Sequence, residues 1–424
     1  MNILKFITAG SVDDGKSTLI GRLLFDSKSI LADQLEVLEK QSKNKNDNGI
    51  DLALLTDGLR AEREQGITID IAYRYFSTSK RKFIIADAPG HVQYTRNMIT
   101  GLSNSELMVI LIDARIGVVE QTKRHSILAS LLNLKNVIVV INKMDMVDYS
   151  EDVFLKIKEQ YQEIINELKL KNIVYIPVSA LKGENIVNRS ELMPWYHGET
   201  LLNVLETIEV QQNADFNSSR FQVQCVIRPQ LDQLHDYRGY AGTVISGNYK
   251  QGDHIIILPS MLETNITKIE IAGNEVEEAY PTQPVIFHIE HDIDVSRGDY
   301  FVKPDNLPVI ENEVELLLCW LDETPLKIGN KYMLQQNSSV VKIIIKDINY
   351  KIDVNSFNKD FGDKTVKQNE VVKVTIKSMN PIVFDPFDVN NYMGRAILID
   401  ETSHNTVGAC LLIEGASKKV SPLI

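Results

Sequence analysis

Gly10-Ser11-Val12-Asp13-Asp14-Gly15-Lys16-Ser17 stands between an apolar run, Leu4 to Thr8, and a helical pattern, Gly15 to Phe25. These residues fit G-x-x-x-x-G-K-[ST] in the setting that this pattern needs, after a strand and before a helix. The two glycines let the backbone turn tightly, so that successive N–H groups point at phosphate oxygens beside the positive end of the helix. Lys16 is placed to reach the β and γ phosphates of a nucleotide. Ser17 offers a hydroxyl to Mg2+, a hard cation that takes oxygen ligands and keeps several waters. Thr18 follows in the same set. A strand, loop and helix of this kind belong to a mostly parallel α/β sheet.

The neighbouring sequence has the matching rhythm. Apolar runs at Phe83 to Asp87, Leu107 to Asp113, Val137 to Asn142 and Val174 to Ser179 alternate with helical patterns at Gln121 to Leu132 and Asp152 to Leu170. In the last of these, Val153, Ile157, Tyr161, Ile164, Ile165 and Leu168 recur at helical spacing. The expectation is an α/β P-loop domain over residues 1–212, a mostly parallel sheet with helices on both faces. A polar stretch, QSKNKNDNG at 41–49, reads as a surface loop.

After QQNADFNSSR, 211–220, the rhythm changes. FQVQCVI, GTVISG, DHIIILP, VIFHI, VELLLCWL, SVVKIIIKDI, VVKVTIKS and RAILID are short alternating strands broken by Gly, Pro and Asn. Two prolines in VKPDNLPVIEN suggest a linker between two units. Two small antiparallel β-barrel domains, 218–304 and 308–424, are therefore expected after the α/β domain.

Further motifs identify the ligand. Asp87-Ala88-Pro89-Gly90-His91 follows a strand, where Asp87 is placed to hold Mg2+ through water and the Gly90 N–H to meet a γ-phosphate. In Arg63-Glu64-Gln65-Gly66-Ile67-Thr68-Ile69-Asp70, Thr68 supplies a second metal hydroxyl, and both segments read as switches. Asn142-Lys143-Met144-Asp145 closes another strand. Asp145, acceptor-only, matches the N1–H and 2-amino donors of guanine in a way adenine cannot. Asn142 is expected to tie this motif to the phosphate loop, the Lys143 stem to cover the base, and Ser179-Ala180-Leu181 to give guanine O6 a backbone N–H. The ligand set is GTP or GDP with Mg2+.

A net charge of -12 argues against affinity built on neutralising nucleic-acid phosphates. Cys225, Cys319 and Cys410 are too widely spaced for a zinc knuckle or a CxxC pair and read as reduced thiols. No run of about 18 apolar residues occurs, and the N-terminus lacks the pattern of a secretory signal, so no membrane association and a cytoplasmic location are expected.

The histidine after Asp-x-x-Gly, the Arg-Glu-x-Gly-Ile-Thr segment and the two trailing β domains resemble the translation-factor GTPases, as in elongation factor Tu. Their tRNA carriers usually read GHVDHGK[ST], whereas Ser11 and Asp14 stand here in place of both histidines. GSVDDGKS, together with GRLLFDSKSILADQLE, INKMDMVDYSED, MPWYHGETLLNVLETIEV, RGYAGTVISG and DIDVSRGD, is similar to the GTPase subunit of bacterial sulfate adenylyltransferase. The resemblance implies that His91 orients the water attacking the γ-phosphate, with Lys16, Gly90 and Thr68 completing the catalytic set. It also implies a smaller partner subunit that carries the ATP and sulfate site and forms adenosine 5'-phosphosulfate and pyrophosphate, a step that GTP hydrolysis helps drive.

In keeping with that division, the sequence has no SGG-x-D loop, and no second G-x-x-x-x-G-K-[ST] for the kinase fused to some relatives. The rival reading is an elongation factor that delivers aminoacyl-tRNA, against which stand the acidic balance and the changes at positions 11 and 14. His288-Ile289-Glu290-His291 superficially resembles the HxGH of some nucleotidyltransferases but lacks its glycine. In a strand, positions three apart face opposite sides, so the pair reads as structural.

Overall fold

The computed structural model describes residues 3–28, 71–88, 98, 101–102, 104–132, 134, 136–168, 170, 172–209, 218–229, 237–353 and 358–416. The chain divides into two compact units, Met1–Gln211 with Val354–Phe357, and Gln212–Asp353 with Asn358–Ile424.

The first unit is built on six strands, β1 (Ile3–Ala9), β2 (Ala72–Ser77), β3 (Lys82–Asp87), β4 (Leu107–Asp113), β5 (Asn136–Asn142) and β6 (Ile173–Pro177), in the order β2-β3-β1-β4-β5-β6. All neighbours run parallel except β2, which pairs antiparallel with β3 at the edge. The central β4 and β5 are buried at every position, as strands covered on both faces must be. The sequence reading missed β2: AYRYFS alternates, but only Phe76 is buried, so its apolar signal is weak.

The described helices here are α1 (Lys16–Asp26), α2 (Glu120–Leu131), α3 (Glu151–Leu168) and α4 (Leu201–Thr207). In α3 the stripe that packs inward is Phe154, Ile157, Tyr161, Ile164 and Ile165, with Phe154 in place of the expected Val153, and the expected Leu168 is only half-buried at the helix end. The Tyr161 hydroxyl meets Ser126 Oγ of α2 at 2.8 Å, so the two helices share a buried polar contact as well as apolar surface.

The second unit contains two closed six-stranded antiparallel barrels. In the first, β10 (His254–Leu258), β15 (Tyr300–Val302), β7 (Arg220–Ile227), β8 (Gly239–Ser246), β14 (Pro284–Ile289) and β11 (Leu262–Ile271) form a ring closed by the β10–β11 pairing. In the second the ring is β17 (Lys331–Gln336), β21 (Arg395–Ile399), β22 (Thr406–Gly415), β16 (Val309–Trp320), β20 (Val371–Phe384) and β18 (Ser339–Ile352), closed by β17–β18. Short strands extend these rings: β12 (Asn274–Val276) pairs with β11, β19 (Lys359–Asp360) with β18, and β9 (Tyr249–Lys250) with β13 (Glu278–Ala279). Closure removes exposed sheet edges. Phe221, Phe287 and Phe301 fill the first barrel; Trp320, Leu316, Val374 and Ile376 lie in the core of the second.

The barrels pack on each other. Ile256, Leu258, Tyr300 and Val302 of the first form one buried cluster with Val383 and Met393 of the second. Within this unit Arg220, 1% exposed, donates from Nε and Nη2 to the two oxygens of Asp385 at 2.9 and 3.0 Å.

Candidate functional site

The loop between β1 and α1 is shaped by its two glycines. Gly15 caps α1 at φ 93°, and a Cβ there would lie 2.5 Å from Asn142 Nδ2. A Cβ on Gly10 would press on Asp14 Oδ2 and on the Leu111 carbonyl, both at 3.1 Å. Lys16 is buried and its ammonium spans the loop, donating to the carbonyls of Gly10 at 3.0 Å and Ser11 at 2.8 Å. Burial lowers its pKa, opposed by the charges of Asp87, Asp14 and Asp13. Val12 and Asp13 form the exposed rim, and Ser17 and Thr18 are half-buried in the first turn of α1.

Asp87 ends β3, 1% exposed, and accepts from Thr8 Oγ1 at 3.0 Å. It supplies a hard oxygen donor beside the Lys16 charge. With the Ser17 hydroxyl this gives a donor set suited to Mg2+. Thr68, Gly90 and His91 lie outside the described residues.

The two remaining motifs converge on this loop. Asn142, at the end of β5, donates from Nδ2 to the Asp14 carbonyl at 2.7 Å and accepts at Oδ1 from the Ala180 N–H at 2.9 Å. One amide therefore joins three segments. Asp145 lies in a 3-10 turn, Met144–Val147, and its Oδ1 accepts from Ser179 Oγ at 2.6 Å. The Ala180 N–H is thus committed to Asn142, and that of Lys182 to Ser179 Oγ. Among the described residues, the Leu181 N–H between them makes no hydrogen bond. Arg22 of α1 donates to the carbonyls of Ala180 and Leu181 and fixes this turn from below.

Sequence reasoning missed two residues here. Asp113, at the end of β4, takes Arg115 Nη2 at 2.6 Å and Lys143 Nζ at 2.9 Å, and the Lys143 ammonium also meets the Asp13 carbonyl. Burial opposes its charge, but the Arg115 and Lys143 donors prevail and hold its carboxyl at about 2. Its stabilisation is therefore full above the ordinary carboxylate pKa of about 3.9 and is lost as pH falls through about 2. Asp113→Asn should shorten the acid limb of the stability profile over that window, measured by urea unfolding at successive pH values.

The second is His125 of α2, which meets Gln121 Nε2 at 3.0 Å while its Nδ1 has no partner among the described residues. Burial, with the Lys16 and Arg124 charges, pushes it down to about 3, so it is neutral at pH 7. Neither residue belongs to a contiguous motif; only the ends of β4 and β5 and the face of α2 bring them near the loop.

His288 and His291 line one open pocket in the first barrel, with Arg228, Tyr237 and Arg238. The expectation of opposite faces fails because β14 ends at Ile289, so the alternation does not extend to His291. Each is nonetheless held by a neighbour, His288 Nε2 by Glu270 at 3.1 Å and His291 Nδ1 by Thr264 Oγ1 at 3.1 Å.

The elongation factor Tu GTP binding domain family matches residues 1–215, and the GTP-eEF1A C-terminal domain-like family matches residues 313–413. Sulfate adenylyltransferase subunit 1 of Bacteroides fragilis is 47% identical over 99% of this chain and 87% of its own length. The protein of that name from Aliarcobacter butzleri is 47% identical over 99% of this chain and 90% of its own. The bifunctional enzyme CysN/CysC of Mycobacterium tuberculosis is 43% identical over 98% of this chain and 68% of its own. Among solved structures, sup35 complexed with GDP aligns with 98% of this chain and 94% of its own at 20% identity, with a TM-score of 0.45.

Proposed function

The chain belongs to the sulfate adenylyltransferase subunit 1 family, whose first domain is of the elongation factor Tu GTP-binding type, and we propose that its GTP hydrolysis helps drive the joining of sulfate to AMP. The observation that supports a guanine nucleotide most is the Asn142 bridge, which draws the phosphate loop, the Asp145 carboxylate and the 179–181 turn to one place.

In this reading the N–H groups of the 10–18 segment and the Lys16 ammonium hold the β and γ phosphates. Asp145 accepts the N1–H and 2-amino group of guanine, and the uncommitted Leu181 N–H meets O6. Lys143, steadied by Asp113, lays its stem along the base. Ser17, Asp87 and Thr68 would hold Mg2+, which supplies neutralising charge to the phosphates. Gly90 offers its N–H to the γ-phosphate and His91 orients the attacking water. The three domains of this arrangement are 1–212, 218–304 and 308–424, and the protein works in the cytoplasm.

ATP and sulfate are handled by a separate, smaller subunit. The test is reconstitution of the chain with a candidate small subunit, ATP and sulfate. The expected result is faster GTP hydrolysis with the full mixture, and a yield of adenosine 5'-phosphosulfate that rises with GTP. Independent reactions, or GTP-dependent binding of aminoacyl-tRNA, would overturn the reading.

Positioning contributes most to phosphoryl transfer, so His91→Ala should slow hydrolysis about hundredfold while nucleotide affinity stays within about threefold. Single-turnover hydrolysis beside equilibrium binding checks this, and a parental rate would remove His91 from the mechanism.

A further inference from the structure

The phosphate loop carries an anion of its own. Asp14, 5% exposed, accepts the Ser11 N–H at Oδ2, one of the amides of the very loop that would cradle phosphate. Asn142 fixes the backbone at Asp14 through its carbonyl, and the Ser11 N–H together with burial holds the carboxylate within the loop. We propose that nucleotide binding at this loop is coupled to protonation of Asp14, whose carboxylate is the internal counter-charge to Lys16.

The inference rests on the nucleotide reading of the loop and concerns charge balance within it. Lys16 of α1 and Lys143 after β5 favour the Asp14 charge, and Asp113 at the end of β4 opposes it. Asp87 of β3 and Asp13 act on the same Lys16 ammonium, and burial, with the charge of Lys16, keeps His125 of α2 neutral at pH 7. Burial raises the Asp14 pKa, against the Ser11 N–H and Lys16, which lower it. Nucleotide phosphates claim Lys16, add negative charge close by and raise the proton affinity of Asp14 further. A proton from the buffer then adds to Oδ1, the oxygen that does not take the Ser11 N–H, and the site gains one positive charge.

The sign follows from linkage. A group with a higher pKa in the complex takes up a proton on binding, so affinity falls as pH rises between its unbound and bound pKa values and levels off above both. The side-chain amide in the variant Asp14→Asn keeps an oxygen for the Ser11 N–H but carries no charge. The variant should therefore bind GDP like the parent at pH values below the unbound Asp14 pKa, and about tenfold more tightly at pH values above the bound one. That factor is the size of one unit-charge repulsion across roughly 10 Å at an effective dielectric of about 20.

The experiment is calorimetric titration of both forms of the full chain with GDP and excess chelator, in two buffers of different ionisation heat at each pH. The parent should take up more protons per GDP than Asp14→Asn, and the affinities should diverge as pH rises. If Asp14→Asn does not fold, Asp14→Ser offers a second neutral acceptor for the same comparison. Equal proton uptake and a constant affinity ratio at every pH would overturn the role of Asp14 while leaving the nucleotide reading intact. Failure of the parent to bind GDP at all would overturn both.

Discussion

Arg220→Met should destabilise the two-barrel unit by about 3–5 kcal/mol, the cost of leaving a buried charge without its partner. Arg220 uses all its donors: Nε and Nη2 on Asp385, Nη1 on the carbonyls of Ser219 at 3.0 Å and Asn306 at 2.8 Å, and Nη2 also on Asn306 Oδ1 at 3.3 Å. Among the described residues, Asp385 keeps only Asn390 Nδ2, at 3.4 Å, when the guanidinium is gone. In a unit of this size each kcal/mol moves the midpoint by roughly 2–4 °C, so a fall of roughly 6–20 °C is expected in its thermal transition. Arg220→Met with Asp385→Leu should recover most of the loss, because paired apolar replacement of a buried ion pair is often neutral. Calorimetry of the parent, both single variants and the double variant checks this. A single variant within about 0.5 kcal/mol of the parent would show that the pair is not coupled to folding.

Asp145→Asn should reverse the preference between GTP and XTP. The carboxylate is acceptor-only, and Ser179 Oγ already donates to Oδ1 at 2.6 Å. An asparagine in its place keeps its oxygen toward that hydroxyl and turns its NH2 toward the base. Guanine then faces a donor with its 2-amino donor, whereas xanthine offers a carbonyl there. GTP binding should weaken by about 2–4 kcal/mol, roughly thirty-fold to several-hundred-fold. With the matching gain for XTP, the preference should swing by about a thousandfold or more. Competition among GTP, ATP and XTP for both forms measures the swing, and an unaltered preference for GTP would remove Asp145 from base reading.

Local structure written in adjacent residues could be read directly from the chain. Gly10 to Ser17 implied a strand, a loop and a helix, because glycine freedom, the lysine and the following apolar spacing act within a few residues of one another. The same holds for Asn142 to Asp145 at a strand end, and for the change from helical to alternating rhythm after residue 211. Where local signal was weak, the reading was weak too: β2 buries only Phe76, and β22 is interrupted by glycine.

Tertiary structure decided what long-range contacts decide. Asn142 meets Asp14 across 128 positions, and its amide also takes up the Ala180 N–H, which joins the 179–181 turn to the loop after β1. Arg220 finds Asp385 across 165 positions, and with the shared apolar cluster this contact joins the two expected barrels within one compact unit. Asp14, visible in the sequence only as a departure from histidine, becomes a buried carboxylate under the phosphate loop. The physical reason is common to all three. Spacing fixes which side chains share a local face, but burial, donor commitment and charge balance depend on which distant strand ends the sheets and barrels bring together.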